Sequence, residues 1–104
     1  MIGYHWAPAT RRSQINRYGL RPSMLSIDRA WRPPFFCVSL DPRTAWTLSG
    51  HYHPEIAAWD LWQVWLGGCR GYEHLFYDNG DVKEIRVYER VWKRDVWLVG
   101  QRAG

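Results

Sequence analysis

Three kinds of side chain in this sequence could do chemistry: histidines, isolated carboxylates and arginines near aromatic rings. His5 sits between Tyr4 and Trp6 near the start of the chain, and Glu84 sits in the run Val82 to Tyr88 near its end. Taken alone, a histidine between two aromatics reads as a buried ring with one satisfied hydrogen bond. A strand glutamate flanked by Lys83 and Arg86 reads as a carboxylate in a weak surface pair. Glu89, five residues on, is the rival carboxylate. His51-Tyr52-His53 puts two imidazoles on one side of an extended segment, a spacing that suits zinc. No cysteine or carboxylate stands at ligand spacing beside it, so no metal site is expected. Cys37 lies in an apolar run and Cys69 in a glycine-rich turn, too few thiols for a disulfide framework.

These residues need elements to hold them. Gly3 to Trp6 reads as a short strand that carries His5. It is followed by a helix that Thr10 would cap, with Ile15 and Tyr18 on one face and Gly19 at the left-handed end position. Residues 21 to 34 hold three prolines and no period, as expected of a loop over a site. Phe35 to Leu40 is a continuous apolar run of strand length. Asp41-Pro42 then starts a short helix, Arg43 to Leu48, closed by Gly50. Ala58 to Leu66 is apolar on both faces, as a central strand would be, with Trp59, Trp62 and Trp65 in the core. Leu75 to Tyr77 and Val82 to Tyr88 flank Asn79-Gly80, a pair suited to a tight hairpin turn. Asp95 to Gly100 supplies a last strand. The tally is five or six strands and two short helices, one α+β domain over residues 1–104.

Composition narrows the classes. With 46% hydrophobic residues, eight tryptophans and 23% charged residues, the chain has too much apolar side chain to stay disordered. No apolar stretch approaches the roughly 18 residues of a membrane span, and the N-terminus lacks the apolar run of a signal peptide. A cytoplasmic protein with no membrane partner is expected. The net charge of +4 comes from twelve arginines and two lysines spread along the chain, which suits a phosphate-bearing partner without identifying one. Dinucleotide-binding glycine motifs, a P-loop and Cys-x-x-Cys are absent from the sequence.

Three pieces in order resemble the ADP-ribosyltransferase superfamily, which includes poly(ADP-ribose) polymerases, diphtheria-type toxins and RNA 2′-phosphotransferases. Tyr4-His5-Trp6-Ala7-Pro8 with Ile15 and Gly19-Leu20 is similar to the family's opening of an aromatic, a histidine, a helix and Gly-Leu. Phe36 to Asp41 with Ala45 is similar to its second strand and the helix behind it. Glu84 to Tyr88, with Val91 and Asp95 to Gly100, is similar to its catalytic-glutamate strand. The resemblance implies a split β-sheet core with two short helices and NAD as substrate. It also implies transfer of ADP-ribose to a protein or nucleic acid, in the manner of a phage or toxin-type effector. His5 would bond the ribose and Glu84 would be catalytic. A carboxylate there stabilises the positive charge that develops on the ribose as the nicotinamide bond breaks. Phe36 and Trp6 would stack on nicotinamide, Ser39 would support the site, and Arg11 and Arg12 would meet the pyrophosphate.

Two departures open other expectations. Trp6 and Ala7 stand where the family often has glycine and then a hydroxyl residue, and Cys37 stands at the usual tyrosine position. They point to an inactive protein of the same fold that binds and inhibits a host protein through arginine and tryptophan. Trp31 and Trp92, beside arginine or proline, join Trp6 as candidates for an exposed stacking surface. The positive charge points to a 2′-phosphotransferase-like enzyme acting on RNA, with Arg11, Arg12 and Arg86 as its basic residues.

Overall fold

A computed structural model of the chain describes residues 1–23, 33–49, 53–77 and 82–103. In chain order the elements are β1 (Ile2–Pro8), α1 (Arg12–Tyr18), β2 (Phe36–Val38), α2 (Pro42–Ser49), β3 (Ala58–Trp65), β4 (Tyr72–Tyr77), β5 (Val82–Val87) and β6 (Val96–Ala103). The strands form two antiparallel three-stranded sheets, ordered β1-β3-β6 and β2-β5-β4. The protein is therefore α+β, with six strands and two short helices among the described residues. None of those helices is long and apolar enough to cross a membrane.

The continuous burial of β3 from Trp59 to Trp62 follows from its central place, with β1 and β6 hydrogen-bonded on either side. Trp59 and Trp62 are core residues, as expected, but Trp65 is 42% exposed. It stands at the end of β3 opposite Ile2, itself 42% exposed, where the sheet face has lost its cover. Between β3 and β6 the register shifts: Leu61 faces Gly100 and Trp62 faces Leu98, so Val99 is the extra residue of a bulge. In the second sheet the alternation along β5 puts Ile85 and Val87 into the core, both fully buried. β4 begins at Tyr72, earlier than the apolar residues alone suggest, because Tyr72, Glu73 and His74 pair with Val87, Arg86 and Ile85. The Asn79-Gly80 turn lies outside the described residues, although Tyr77 and Val82 pair directly across it.

Among the described residues one backbone bridge joins the two sheets. Tyr4 of β1 and Ser39, just after β2, exchange both backbone hydrogen bonds, at 2.7 and 3.0 Å. Behind this junction Val38, Val64, Leu66, Ile85 and Val87 pack in one core. α1 adds Ile15 to that core, entered through a 3-10 turn at Ala9–Arg11. Thr10 lies inside this turn and makes no side-chain cap, since Pro8 sets the entry into it. For α2 the expected start holds: the Asp41 carboxylate accepts a hydrogen bond from the Arg43 N–H at 2.9 Å, with Pro42 in the first position. Its proposed end at Gly50 lies outside the described residues.

Gly19 ends α1 with φ of 77°, and its N–H bonds to the Ile15 carbonyl at 2.8 Å. Leu20 and Val91 next exchange two backbone hydrogen bonds of 2.9 Å. A Cβ on Gly19 would lie 2.0 Å from the Val91 carbonyl oxygen, whereas one on Gly68 would meet nothing within 4 Å. Gly19→Ala therefore destabilises the protein by more than about 1 kcal/mol, while Gly68→Ala changes stability by less than about 0.5 kcal/mol. Urea denaturation of both variants measures the contrast.

Candidate functional site

The sheet junction brings the two ends of the chain together. β1 carries His5 one residue past Tyr4. The Nδ1–H of His5 donates to the Cys37 carbonyl at 2.6 Å, and the Phe36 ring meets the imidazole edge to face at 5.6 Å. On β2 the side chain of Cys37 lies on the opposite face from Phe36 and Val38. Its thiol donates to the Glu84 carboxylate at 2.5 Å. Ser39 is buried, and its hydroxyl donates to the Lys83 carbonyl at 3.1 Å. His5, Ser39 and Glu84, 79 positions apart at the extremes, are thus tied to one another through β2.

Glu84 is only 7% exposed. Burying a carboxylate is costly without partners. Besides the thiol, Arg86 supplies one, its Nε lying 3.5 Å from a Glu84 oxygen. Arg86 is fixed in turn by the Phe35 ring, 4.5 Å below its guanidinium, and by its register position opposite Glu73. Burial raises the Cys37 thiol far above its ordinary pKa, and the negative charge of Glu84 adds to the effect. The thiol stays protonated and acts as a donor, so it is a poor nucleophile. Burial lowers His5 to about 4, against the opposing pull of the Cys37 carbonyl, and nearby Arg11 lowers it further. At neutral pH the ring is uncharged with its proton on Nδ1, because a carbonyl can only accept. Nε2 then carries a lone pair that can accept a hydrogen bond from a hydroxyl. Trp62, directly opposite His5 in the β1–β3 register, has a buried indole N–H with no hydrogen-bond partner among the described residues.

The other sequence candidates fall elsewhere. Trp6 is on the face of β1 opposite His5. Its indole N–H donates to the Pro42 carbonyl at 3.0 Å, and its ring meets Trp46 edge to face. Phe36 is core. Arg11 lies in the 3-10 turn, near enough to His5 to oppose its protonation. Arg12 holds Asp60 of β3 through two bonds of 2.8 and 2.7 Å, and these keep the Asp60 carboxyl below its ordinary pKa despite burial. Asp60 is fully buried, opposite Ala7, and no sequence signal singled it out. Its mark, visible in retrospect, is a lone acid inside an otherwise apolar central strand. The rival Glu89 accepts hydrogen bonds from the backbone N–H groups of Arg70 and Gly71 and so braces the link between β3 and β4. His53 bonds to Glu55, His51 and Trp31 lie outside the described residues, and those residues contain no cluster of metal-ligating side chains. Trp92 is exposed, with Arg90 stacked 4.5 Å above it. Comparison of the chain with protein-family models, characterised proteins and solved structures gives no match.

Two outcomes follow from these environments. His5 is harder to protonate folded than unfolded, so its contribution to stability is complete above about pH 6.5 and is lost as the pH falls towards about 4. Denaturant titrations should show a loss of ~3 kcal/mol across that window, absent in His5→Gln. Acid-sensitive carboxylates such as Asp60 act at lower pH and persist in the variant. Cysteine reactivity gives the second outcome: burial and Glu89 raise the Cys69 thiol to about 11, less than Cys37 is raised. Mass spectrometry after brief native alkylation at pH 8.5 should find the label on Cys69 well before Cys37.

Proposed function

We propose that this chain is an ADP-ribosyltransferase-like protein that binds NAD and transfers its ADP-ribose to a protein or nucleic acid. The observation that carries the reading is the linkage of His5, Ser39 and Glu84, each from a different strand segment, across one sheet junction. The donors and acceptors fit the task. Neutral His5 offers Nε2 to a ribose hydroxyl while the Cys37 carbonyl fixes the ring. Glu84 supplies negative charge in a water-poor setting, where it stabilises a developing cation more strongly than in water. In the transfer itself the nicotinamide glycosidic bond breaks, its electron pair leaves with nicotinamide, and the acceptor atom bonds the ribose carbon and gives up its proton. Arg86 and the Cys37 thiol hold the carboxylate in place for this charge development.

One observation favours a second reading, a non-catalytic protein of the same fold that binds a host protein. The Glu84 carboxylate is nearly buried and already engaged by Cys37 and Arg86, and arginine with tryptophan is displayed outside, as at Arg90 and Trp92. A 2′-phosphotransferase has less support, since Arg12 and Arg86 are each paired with a carboxylate.

Incubation with NAD, read by nicotinamide release, separates the first two readings. The transferase reading expects release by the wild type and a loss of at least about 100-fold in Glu84→Gln, which keeps an acceptor for the thiol. Absence of NAD binding by isothermal titration, together with no nicotinamide release, would overturn it in favour of the binding protein.

A further inference from the structure

The first sheet ends in an edge that the fold leaves open. β6 stands last in the order β1-β3-β6, so one side of its backbone pairs with β3 and the other has no strand beside it among the described residues. The strand runs eight residues, and Trp97, Leu98 and Val99 at its middle are 46%, 39% and 48% exposed. It carries no lysine or proline, the residues that commonly keep such an edge from pairing. We propose that β6 pairs antiparallel with β6 of a second copy of this chain, about a two-fold axis between Leu98 and Val99, so that two three-stranded sheets become one of six strands.

The bulge selects this partner. Side chains and backbone groups alternate along a strand, so two strands pair only where their phases agree. The phase of β6 is read from β3: Val96 and Leu98 stand opposite Val64 and Trp62, and beyond the extra residue Val99 the same phase passes to Gln101 and Ala103, opposite Asp60 and Ala58. A regular strand laid along the outer edge is therefore out of phase on one side of Val99. A second β6 carries the same extra residue at the same place. The two-fold axis sets Val96 opposite Gln101 of the other copy and Trp97 opposite Gly100, and both pairs join residues of like phase. Leu98 then meets Val99 at the centre, and Asp95 and Arg102 face each other at the two ends.

The side chains agree with that register. Gly100 has no side chain, so the indole of Trp97 from the facing copy has room to lie across it, an arrangement known to support glycine in strands. The ends are complementary in charge. Asp95 makes a loose contact of 3.9 Å with the exposed Arg94. Arg102 is stacked 3.7 Å above the Trp46 ring, and its hydrogen bond to the Ala103 carbonyl is a long one of 3.5 Å. Stacking fixes the plane of the guanidinium and leaves its N–H edge for a carboxylate. Because the interface is isologous, the Asp95 and Arg102 pair forms twice. That matters for a chain of net charge +4, whose copies otherwise repel: Arg102 is the one charged residue of β6, and this register places it against an acid.

The interface involves neither His5 nor Glu84, so it stands or falls apart from the transferase reading.

The test is sedimentation equilibrium of the whole chain. A monomer–dimer equilibrium is expected, with a Kd below about 100 μM. Trp97→Lys, at an exposed position, places two ammonium groups near the centre of the paired edge and should weaken the dimer at least about tenfold without disturbing the core. Asp95→Arg and Arg102→Asp should each weaken it by about the same factor, since each creates two like-charged contacts per dimer. The double variant Asp95→Arg with Arg102→Asp should return the Kd to within about threefold of the wild type, a recovery that a loss of fold in either single variant would not allow. Three results overturn the proposal: a chain that stays monomeric up to about 500 μM, a dimer whose Kd is unchanged in Trp97→Lys and which therefore forms through another surface, or a double variant no tighter than the single ones.

Discussion

The paired backbone hydrogen bonds between Tyr4 and Ser39 are the constraint on which the rest of the molecule turns. They join the edge of one three-stranded sheet to the end of a three-residue strand in the other. With Tyr4 held there, the neighbouring His5 reaches the Cys37 carbonyl. With β2 held there, its pairing to β5 sets Cys37 opposite Arg86 and Val38 opposite Ile85. The diagonal neighbour on the same face as Cys37 is Glu84. Two backbone bonds therefore determine which distant side chains can meet.

Burial then decides the state of those side chains. A histidine deprived of water favours its neutral form, and a thiol beside a carboxylate favours its protonated form. Both effects fix the direction of hydrogen bonding: His5 donates from Nδ1, and Cys37 donates to Glu84. The cysteine's role is positional. The same rule of compensated burial holds at the far end of the sheet, where fully buried Asp60 is matched by the half-exposed Arg12. In both places a carboxylate costs little because a guanidinium and at least one further donor surround it.

Local chemistry was well marked in the sequence. Asp41-Pro42 gave away the start of α2, Gly19 the end of α1, and the period of Val82 to Tyr88 the buried and polar faces of β5. Thr10 misled, because a cap preference is weaker than the geometry that Pro8 imposes on the next turn. Trp65 misled for another reason. Its type and period match those of Trp59 and Trp62, but cover at the end of a strand depends on what packs there, which is a long-range matter. Trp6, next to a proline-bearing turn, suggests an exposed ring, and only α2, lying across β1, supplies the Pro42 carbonyl and the Trp46 edge that engage it.

What the sequence determined by itself was the set of elements and the two residues worth watching. Alternation, proline, glycine and capping residues act over a few positions, so strands, helices and the opposed faces of β5 can be read locally. The order of His5, Ser39 and Glu84 was equally visible. Only the tertiary structure decided that Cys37 links His5 to Glu84, that Glu84 is nearly buried, and that Asp60 anchors Arg12 beside a groove. The contacts behind those facts join residues more than thirty positions apart. Contacts of that span are selected by sheet register and shared burial, and no local pattern encodes either one.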